Sequence, residues 1–466
     1  MSRKILKLSM ILCLFITFAC RDDDNGMPVS DDEMEVVEME EEEEEMDPEM
    51  ENEALYNQLK SDFIYDDDEL HSFELILSEE NLNIINSDPA AEEYVEGKIK
   101  FNGETFGPVG IRYKGSIGAF VNCLSNPNWA NPSGFKICPK LSMKIKCNWE
   151  DSSRKFYGLK KLQFHAMNLD GSQMHDRLGY HLFREMGVKA PRCVHAKLYI
   201  NGTFNGVFAL VEQIDGRFTD YHYEDGDGNL YKEVWPMNMD GTARSESEFL
   251  AGLKTNEDDD PQASIIHAFA SAVEQAEEDE LKSVIEQWMD VQEILSYCVV
   301  DRTIKHDDGP FHWYCNFGNC EPHNFYWYET PGDQKVHLIP WDLDNAFENI
   351  LSPNAVTNIR DNFGEVTNNC RPFNHGLWGL SQWSAACDKL TGAWVLYEND
   401  YEALINEFKN GPLSQGNTDA LLDKWAAQIN DATEEARATH SNEALHPNDW
   451  QNAINQLKNS LQKARE

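Results

Sequence analysis

The chain has 466 residues and a formal net charge of −43, with 82 Asp and Glu against 39 Lys and Arg. This length holds two or three domains, or one large two-lobed unit. So acidic a chain disfavours nucleic acid and anionic membrane surfaces as partners, because phosphate backbones are gripped by Lys and Arg, and it leaves cationic partners and divalent metals open.

At the N-terminus, Arg3, Lys4 and Lys7 precede an apolar run from Leu8 to Ala19. The run is too short to span a bilayer and suits an export signal over residues 1–20. Thr17-Phe18-Ala19-Cys20 resembles a bacterial lipobox, which makes Cys20 the expected lipidation site and the expected attachment to the membrane. Asp22-Asp23-Asp24 resembles the acidic tag of surface-displayed lipoproteins. Residues 21–60 read as an acidic tether: eighteen acidic residues fall between Asp22 and Glu53, and such a run repels itself and buries no core. The 11 cysteines suit an exported chain. With Cys13 in the leader and Cys20 lipidated, an odd number remains. Close partners in sequence are Cys123 with Cys138, Cys315 with Cys320, and Cys370 with Cys387, and no pair has zinc-ribbon spacing.

From Ser72 onward, strand-like runs appear at Phe73 to Leu77, Lys98 to Phe101, Val109 to Tyr113, Leu141 to Cys147 and Lys161 to His165. Leu141, Met143 and Ile145 share one face of their strand, and Lys144 and Lys146 share the other. The apolar spacing of Leu178, Leu182 and Met186 predicts a helix over Gln173 to Met186, ended by Gly187. Strands follow at Val194 to Ile200, Val207 to Val211 and Asn229 to Val234. Asp225-Gly226-Asp227-Gly228 reads as a turn, since a calcium loop's sixth-position Gly and twelfth-position Glu are missing. Residues 240 to 265 read as a polar surface loop. Helices are predicted at Ile265 to Ala276, Leu281 to Met289 and Val291 to Lys305, before Gly309 and Pro310 force a loop. An aromatic, cysteine-bearing insertion, Phe311 to Pro322, comes next. Beyond Phe347 the chain reads as irregular to about Gly379 and mostly helical thereafter. The expected division is a sheet-rich unit with one helix over 61–235 and a helical unit over 236–466.

The most informative stretch is His323 to Phe347. Phe325 to Tyr328 and Lys335 to Trp341 read as strands around a turn containing Pro331-Gly332. Folded as an antiparallel hairpin, they bring Asn324 near Asp342 and Asp344 at the open end, and an extended chain would point both aspartates the same way. One amide oxygen and two carboxylates form a hard-oxygen set suited to Mg²⁺ or Mn²⁺.

A lysine strand, a helix, two strands, helices, an acidic loop and an Asn-to-Asp hairpin follow the working order of a protein-kinase-like fold, without its Gly-rich loop or His-Arg-Asp signature. Residues 72 to 465 resemble the spore-coat-protein H (CotH) kinase family of secreted atypical kinases. The resemblance rests on Val109-Gly110-Ile111-Arg112-Tyr113-Lys114-Gly115-Ser116, Leu141 to Lys146, Asp176-Arg177-Leu178-Gly179-Tyr180, Gly206 to Gln213, His323-Asn324-Phe325-Tyr326 and Ile339-Pro340-Trp341-Asp342-Leu343-Asp344. It implies an α+β, two-lobed atypical protein-kinase-like fold, with a sheet-rich N-lobe and a helical C-lobe. It also implies Asp342 and Asn324 as metal ligands with Asp344 close behind, Mg²⁺ or Mn²⁺ as the metal, and ATP or another nucleotide as co-substrate.

The catalytic-loop carboxylate is expected just before His323-Asn324, where the insertion departs from the family pattern; Asp308 is the first choice and Asp307 the second. Lys144, or Lys146 on the same face, is expected to grip the phosphates, with Arg112 and Lys114 adding charge. Glu212 either reads the nucleotide or holds the hinge through a salt bridge. The expected function is phosphoryl transfer to a surface protein or glycan hydroxyl by an exported, lipid-anchored kinase; the alternative is a non-catalytic surface scaffold of the same fold. His165, His175, His181 and His195 show no ligand spacing and are assigned no metal role, and Trp313, Trp327 and Trp341 read as core.

Overall fold

A computed structural model describes residues 60–466, except 116–118, 121–122, 129–130, 259, 317, 352–362 and 376–379. The leader, Cys20 and nearly all of the acidic tether lie outside the described residues. Lys60, the last residue assigned to the tether, opens a helical turn at 60–64.

Seven strands close into a barrel. They are β1 (His71–Ile76), β2 (Val95–Phe101), β3 (Glu104–Tyr113), β6 (Met143–Lys146), β7 (Lys161–His165), β8 (Cys193–Ile200) and β9 (Thr203–Val211), in the order β1-β2-β3-β6-β7-β9-β8. Every neighbouring pair is antiparallel except β1 with β8, which closes the ring. Alternation explains the closure: in β2, Val95, Gly97, Ile99 and Phe101 point inward and Glu96, Lys98 and Lys100 outward. Phe73, Ile99, Ile111, Ile145, Phe164 and Leu210 fill the interior, each contributing about 1.5–3 kcal/mol on burial. A small hairpin, β4 (Leu124–Asn126) and β5 (Ser133–Lys136), lies between β3 and β6 and was not foreseen.

α1 (Glu79–Ser87) follows β1, and α2 (His175–Glu185) joins β7 to β8. After α3 (Gly216–His222), β10 (Leu230–Lys232) leads to α4 (Glu246–Ala251), α5 (Ser264–Gln275), α6 (Leu281–Trp288) and α7 (Val291–Ile304). α4 corrects the expected loop at 240 to 265. Its start is a capping box in which Ser245 N–H donates to Glu248 at 2.9 Å. The insertion is also ordered, as a hairpin of β11 (His312–Asn316) and β12 (Asn319–Glu321). It joins β15 (Phe373–His375) and β16 (Leu380–Ser384) in a four-stranded sheet, so part of the region expected to be irregular or helical is strand. β13 (Phe325–Thr330) and β14 (Lys335–Pro340) form the expected hairpin and take β10 as a third strand. Helices α8 (Lys389–Val395), α9 (Glu398–Asn410), α10 (Gln415–His440) and α11 (Pro447–Arg465) complete the chain. A second apolar cluster, with Leu178, Leu182, Val299, Trp327, Trp394 and Trp425, joins α2, α7, the hairpin and the C-terminal helices.

All three cysteine pairs close in sequence are disulfides, and Cys147, Cys193 and Cys298 are buried thiols. Ahead of β1, Asp67 ties the segment to two helices. It accepts from Arg177 of α2 at 2.6 Å, and from Lys424 at 2.6 Å and Trp425 Nε1 at 3.2 Å, both of α10.

Candidate functional site

The hairpin pairs Phe325 with Pro340, and Trp341 N–H donates to the Asn324 carbonyl at 3.2 Å. Asn324 and the Trp341-Asp342 step therefore face each other at the open end. The chain does not stay extended there: Asn324 has φ 55° and Asp342 φ 56°. Left-handed backbone of this kind is tolerated best by Asn, Asp and Gly. Asp342 and Asp344 thus sit on a turn and not on one strand face, which corrects the extended-chain expectation.

Three elements hold this turn. Asp342 N–H donates to Tyr180 Oη of α2 at 3.0 Å, and Leu343 packs against Gly179 so closely that a Cβ there would lie 2.7 Å from Leu343 Cδ1. The Asp344 carbonyl accepts from His175 Nδ1 at 2.8 Å. The Asp342 carbonyl accepts from His306 Nε2 at 3.0 Å, while His306 Nδ1 lies 3.2 Å from the Asp301 carboxylate at the end of α7. Both ring nitrogens of His306 face acceptors, an arrangement that favours the doubly protonated ring. Burial opposes that charge, but the Asp301 hydrogen bond and carboxylate raise His306 above its ordinary range. Asp301 is fixed in turn by Arg302, at 2.5 Å.

The Asp307-Asp308-Gly309-Pro310 loop leaves this pair directly. A Cβ on Gly309 would lie 2.4 Å from His306 Nδ1, so the tight approach requires glycine. Asp308 accepts from Asn324 Nδ2 at 2.8 Å. Asp307 is buried, and its carbonyl accepts from the His312 ring and from Tyr314 Oη at 3.5 Å. On the other side of Asn324, its N–H donates to Glu233 at 3.1 Å.

The carboxylates feel one another. Burial, then the negative charge of Asp342, push Asp308 up to about 6, with His323 and His306 pulling the other way. Asp344 rises well above the usual range through burial and the charges of Asp342, Asp176, Asp308 and Asp170. Excess negative charge of this kind, in hard oxygens beside an amide, fits a divalent cation that also binds phosphate oxygens. Among the described residues, no group of three or more His, Cys, Asp or Glu side chains is already arranged to hold a metal.

The outer face of β3, β6 and β7 carries cations. Lys144 is buried in mid-strand, opposite Arg112 on β3 and Gln163 on β7. Lys146 lies opposite Gly110 and Lys161. Arg112 pairs with Glu92 at 2.6 Å and lies over the Tyr94 ring at 5.0 Å. Lys114, at the end of the same face, reaches Gln163 Oε1 at 2.8 Å and His165 Nε2 at 2.9 Å, and stands 5.1 Å from the centre of the Trp341 ring. Glu212 is bound to Arg192 at 2.5 Å and to His222 at 2.9 Å, and accepts from Arg192 N–H at 3.0 Å.

Asp308, Asn324, Asp342 and Asp344 are therefore brought together, Lys144, Lys146 and Arg112 line a neighbouring sheet face, and Glu212 is spoken for by its own ion pairs. Sequence reasoning missed the supporting His306, Asp301, His175, Tyr180 and Glu233. Their partners lie on other elements, so no local spacing marks them. Trp313, Trp327 and Trp341 are buried as expected, Trp341 with one face towards Lys114.

A closed barrel followed in the chain by a largely helical part, with a carboxylate–amide cluster at the end of a hairpin, describes an α+β protein. Residues 111–466 match the family model described as CotH kinase protein, and the chain belongs to that family. The family name indicates a kinase-like function. No curated protein matches the chain.

Proposed function

We propose that the protein is an exported atypical kinase that transfers a phosphoryl group from ATP or another nucleotide to a hydroxyl of a surface protein or glycan. The observation that carries the reading is the 2.8 Å hydrogen bond between Asp308 and Asn324 beside the Asp342 turn. It supports the reading because a loop carboxylate and a hairpin amide meet beside a further aspartate, the residue types that phosphoryl transfer uses on such a loop and hairpin. The separate apolar clusters of the barrel and of the helical half support a two-lobed, kinase-like layout.

Asn324 and Asp342, with Asp344 nearby, are the residues to hold Mg²⁺ or Mn²⁺. When bound, that ion supplies charge neutralisation for the donor phosphates. Asp308 orients the acceptor hydroxyl and takes its proton as the new bond from oxygen to phosphorus forms and the nucleoside diphosphate leaves. The cationic face of β3 and β6, with Lys144, Lys146 and Arg112, lies on the donor side. His306 ties the Asp342 carbonyl to the loop that carries Asp308.

The full-length chain, incubated with labelled ATP and Mn²⁺, tests the reading. Asp342→Asn should abolish both Mn²⁺·ATP binding and transfer while leaving the fold intact. Asp308→Ala should keep nucleotide affinity and lose transfer. Wild-type protein that binds no nucleotide with either metal, and labels neither itself nor surface proteins, would make it a scaffold instead. For the address, the apolar run ahead of Cys20 is too short to anchor alone. Among the described residues no helix is long and apolar enough to cross a membrane. Cys20→Ser should therefore release the protein from the membrane fraction, and unchanged detergent-phase partitioning would remove the lipid anchor.

A further inference from the structure

We infer that Asp67, on the segment ahead of β1, is a positioning residue for the Asp342 turn: by compensating the Arg177 guanidinium it seats helix α2, and α2 holds the turn. This rests on the kinase reading above and extends that site to a residue ahead of the family match.

Helix α2 is gripped on two sides. At about 3.6 residues per turn, residues two apart leave a helix on nearly opposite sides and residues four apart on the same side. His175 and Gly179 form one such pair. The Asp344 carbonyl accepts from His175 Nδ1 at 2.8 Å, Gly179 packs against Leu343, and Tyr180, beside Gly179, accepts from the Asp342 N–H at 3.0 Å. Arg177 and His181 form the opposite pair. Arg177 lies over the Trp425 ring at 4.5 Å, and His181 meets the same ring edge-on at 6.0 Å. The Asp342 turn thus rests on one side of α2, and α10 with the Asp67 segment on the other.

Arg177 is 1% exposed. Its Nη1 donates to His195 Nδ1 at 2.8 Å and to Gln428 Oε1 at 2.7 Å, and its Nη2 donates to the Asp67 carboxylate at 2.6 Å and carbonyl at 2.9 Å. A guanidinium has no lone pair to offer, so His195 Nδ1 is the acceptor and Nε2 carries the ring proton. That Nε2 donates to the Gln173 carbonyl at 2.6 Å, on the loop that enters α2. Burial and the Arg177 charge lower His195 to about 3, so the ring stays neutral. A ring nitrogen, an amide oxygen and a carbonyl are dipoles; among the described residues Asp67 is the carboxylate paired with this cation. Without it the buried charge faces neutral groups alone, which favours a shift of α2 that brings the guanidinium to water. His175, Gly179 and Tyr180 shift with the helix. Lys424, 42% exposed, pairs with Asp67 from the solvent side at 2.6 Å, and an ion pair so exposed contributes little.

The experiment titrates the full-length chain with Mn²⁺·ATP by calorimetry and follows amide hydrogen exchange of peptides covering residues 341–344 in the metal-free protein. Thermal unfolding establishes that each variant is folded at the assay temperature. Asp67→Ala should weaken Mn²⁺·ATP binding about three- to thirtyfold and speed exchange at 341–344, while strand β2 exchanges as in wild type. Asp67→Asn, which keeps an acceptor and loses the charge, should fall between the two. Adding Arg177→Met to Asp67→Ala removes the orphaned charge and should restore part of the affinity. Lys424→Met should leave both readouts unchanged. Tyr180→Phe removes the acceptor of the Asp342 N–H; combined with Asp67→Ala it should lose less than the product of the two single losses, since both act through α2. Folded Asp67→Ala with wild-type affinity and wild-type exchange at 341–344 would reduce Asp67 to a stability residue and overturn the inference, leaving the kinase reading standing. Single losses that multiply would overturn the route through α2. If wild-type protein binds no Mn²⁺·ATP while Asp67→Ala still loosens 341–344, the kinase reading falls and the positioning of the turn stands.

Discussion

Replacing Glu212 by Ala separates a nucleotide-reading role from a structural one. Glu212 is 1% exposed, and its two oxygens engage the Arg192 guanidinium at 2.5 Å, the Arg192 N–H at 3.0 Å and the His222 ring at 2.9 Å. Removing one partner of a buried ion pair costs about 3–5 kcal/mol, because the remaining charge is left without compensation. Arg192 keeps a second carboxylate, Asp62 at 2.8 Å, but that side chain is 45% exposed and is screened. The expected loss therefore sits at the lower end, about 3 kcal/mol. Burial opposes the charge of Glu212, yet Arg192 and His222 hold it well below the ordinary 4.5. A depressed carboxylate contributes stability above its unfolded value and loses it as pH falls. The difference between wild type and variant should thus be full at pH 7 and shrink progressively below about pH 4.5. Urea denaturation at several pH values reads the stability, and titration with Mn²⁺·ATP reads the affinity. A folded variant with under about 1 kcal/mol of lost stability, or with nucleotide binding reduced tenfold, would refute the structural role.

Glu329 on β13 behaves in the opposite sense: burial, only partly offset by bonds from Ile266 N–H and Asn229, pushes it up to about 7. Wild-type protein should lose about 2–3 kcal/mol relative to Glu329→Gln as pH rises from 5 to 8, and a pH-independent difference in urea midpoints would contradict this. Gly309→Ala forces a methyl against His306 and should cost about 1–3 kcal/mol and abolish transfer. Gly416→Ala, with nothing within 4 Å of its Cβ, should leave transfer unchanged and raise the thermal midpoint slightly; equal loss in both would mean that the crowding at Gly309 is not what matters.

The elements that sequence foretold are those whose signal is local. Lys161 to His165, the β13–β14 hairpin and helix α2 follow from alternation, a Pro-Gly turn and helical spacing, and the structure reproduces them within a few residues. The co-location of Asn324 and Asp342 also followed, since a hairpin brings its open ends together whatever the rest of the fold does. What escaped was long-range. Lys144 looked central because it is mid-strand, but which lysine meets Trp341 depends on where β3 ends relative to β7 and on the placement of β14. His165 and His175 have no spacing because their partners, Lys114 and Asp344, come from other elements. The insertion gave no strand signal of its own, since β11 is completed by β16, far along the chain. Left-handed backbone at Asp342 is held by contacts from Tyr180 and His306 on other elements and has no mark in the residues beside it.

The match to the family begins at Ile111, near the end of β3. β1 and β2 lie ahead of it, as does Asp67, the partner of Arg177 next to Asp176. A gene fragment cut at that boundary would lack β1, β2 and β3 as far as Gly110, opening the barrel and leaving the stub of β3 and β8 with bare edges ready to pair with other chains. It would also leave the Arg177 guanidinium, 1% exposed, without its carboxylate. The family match and the closed barrel thus begin at different points of the chain, Ile111 and His71. Fusions, truncations and display formats that begin before Lys60 keep the helix bearing Asp176 anchored at both ends; those that begin at Ile111 should be recovered as aggregates.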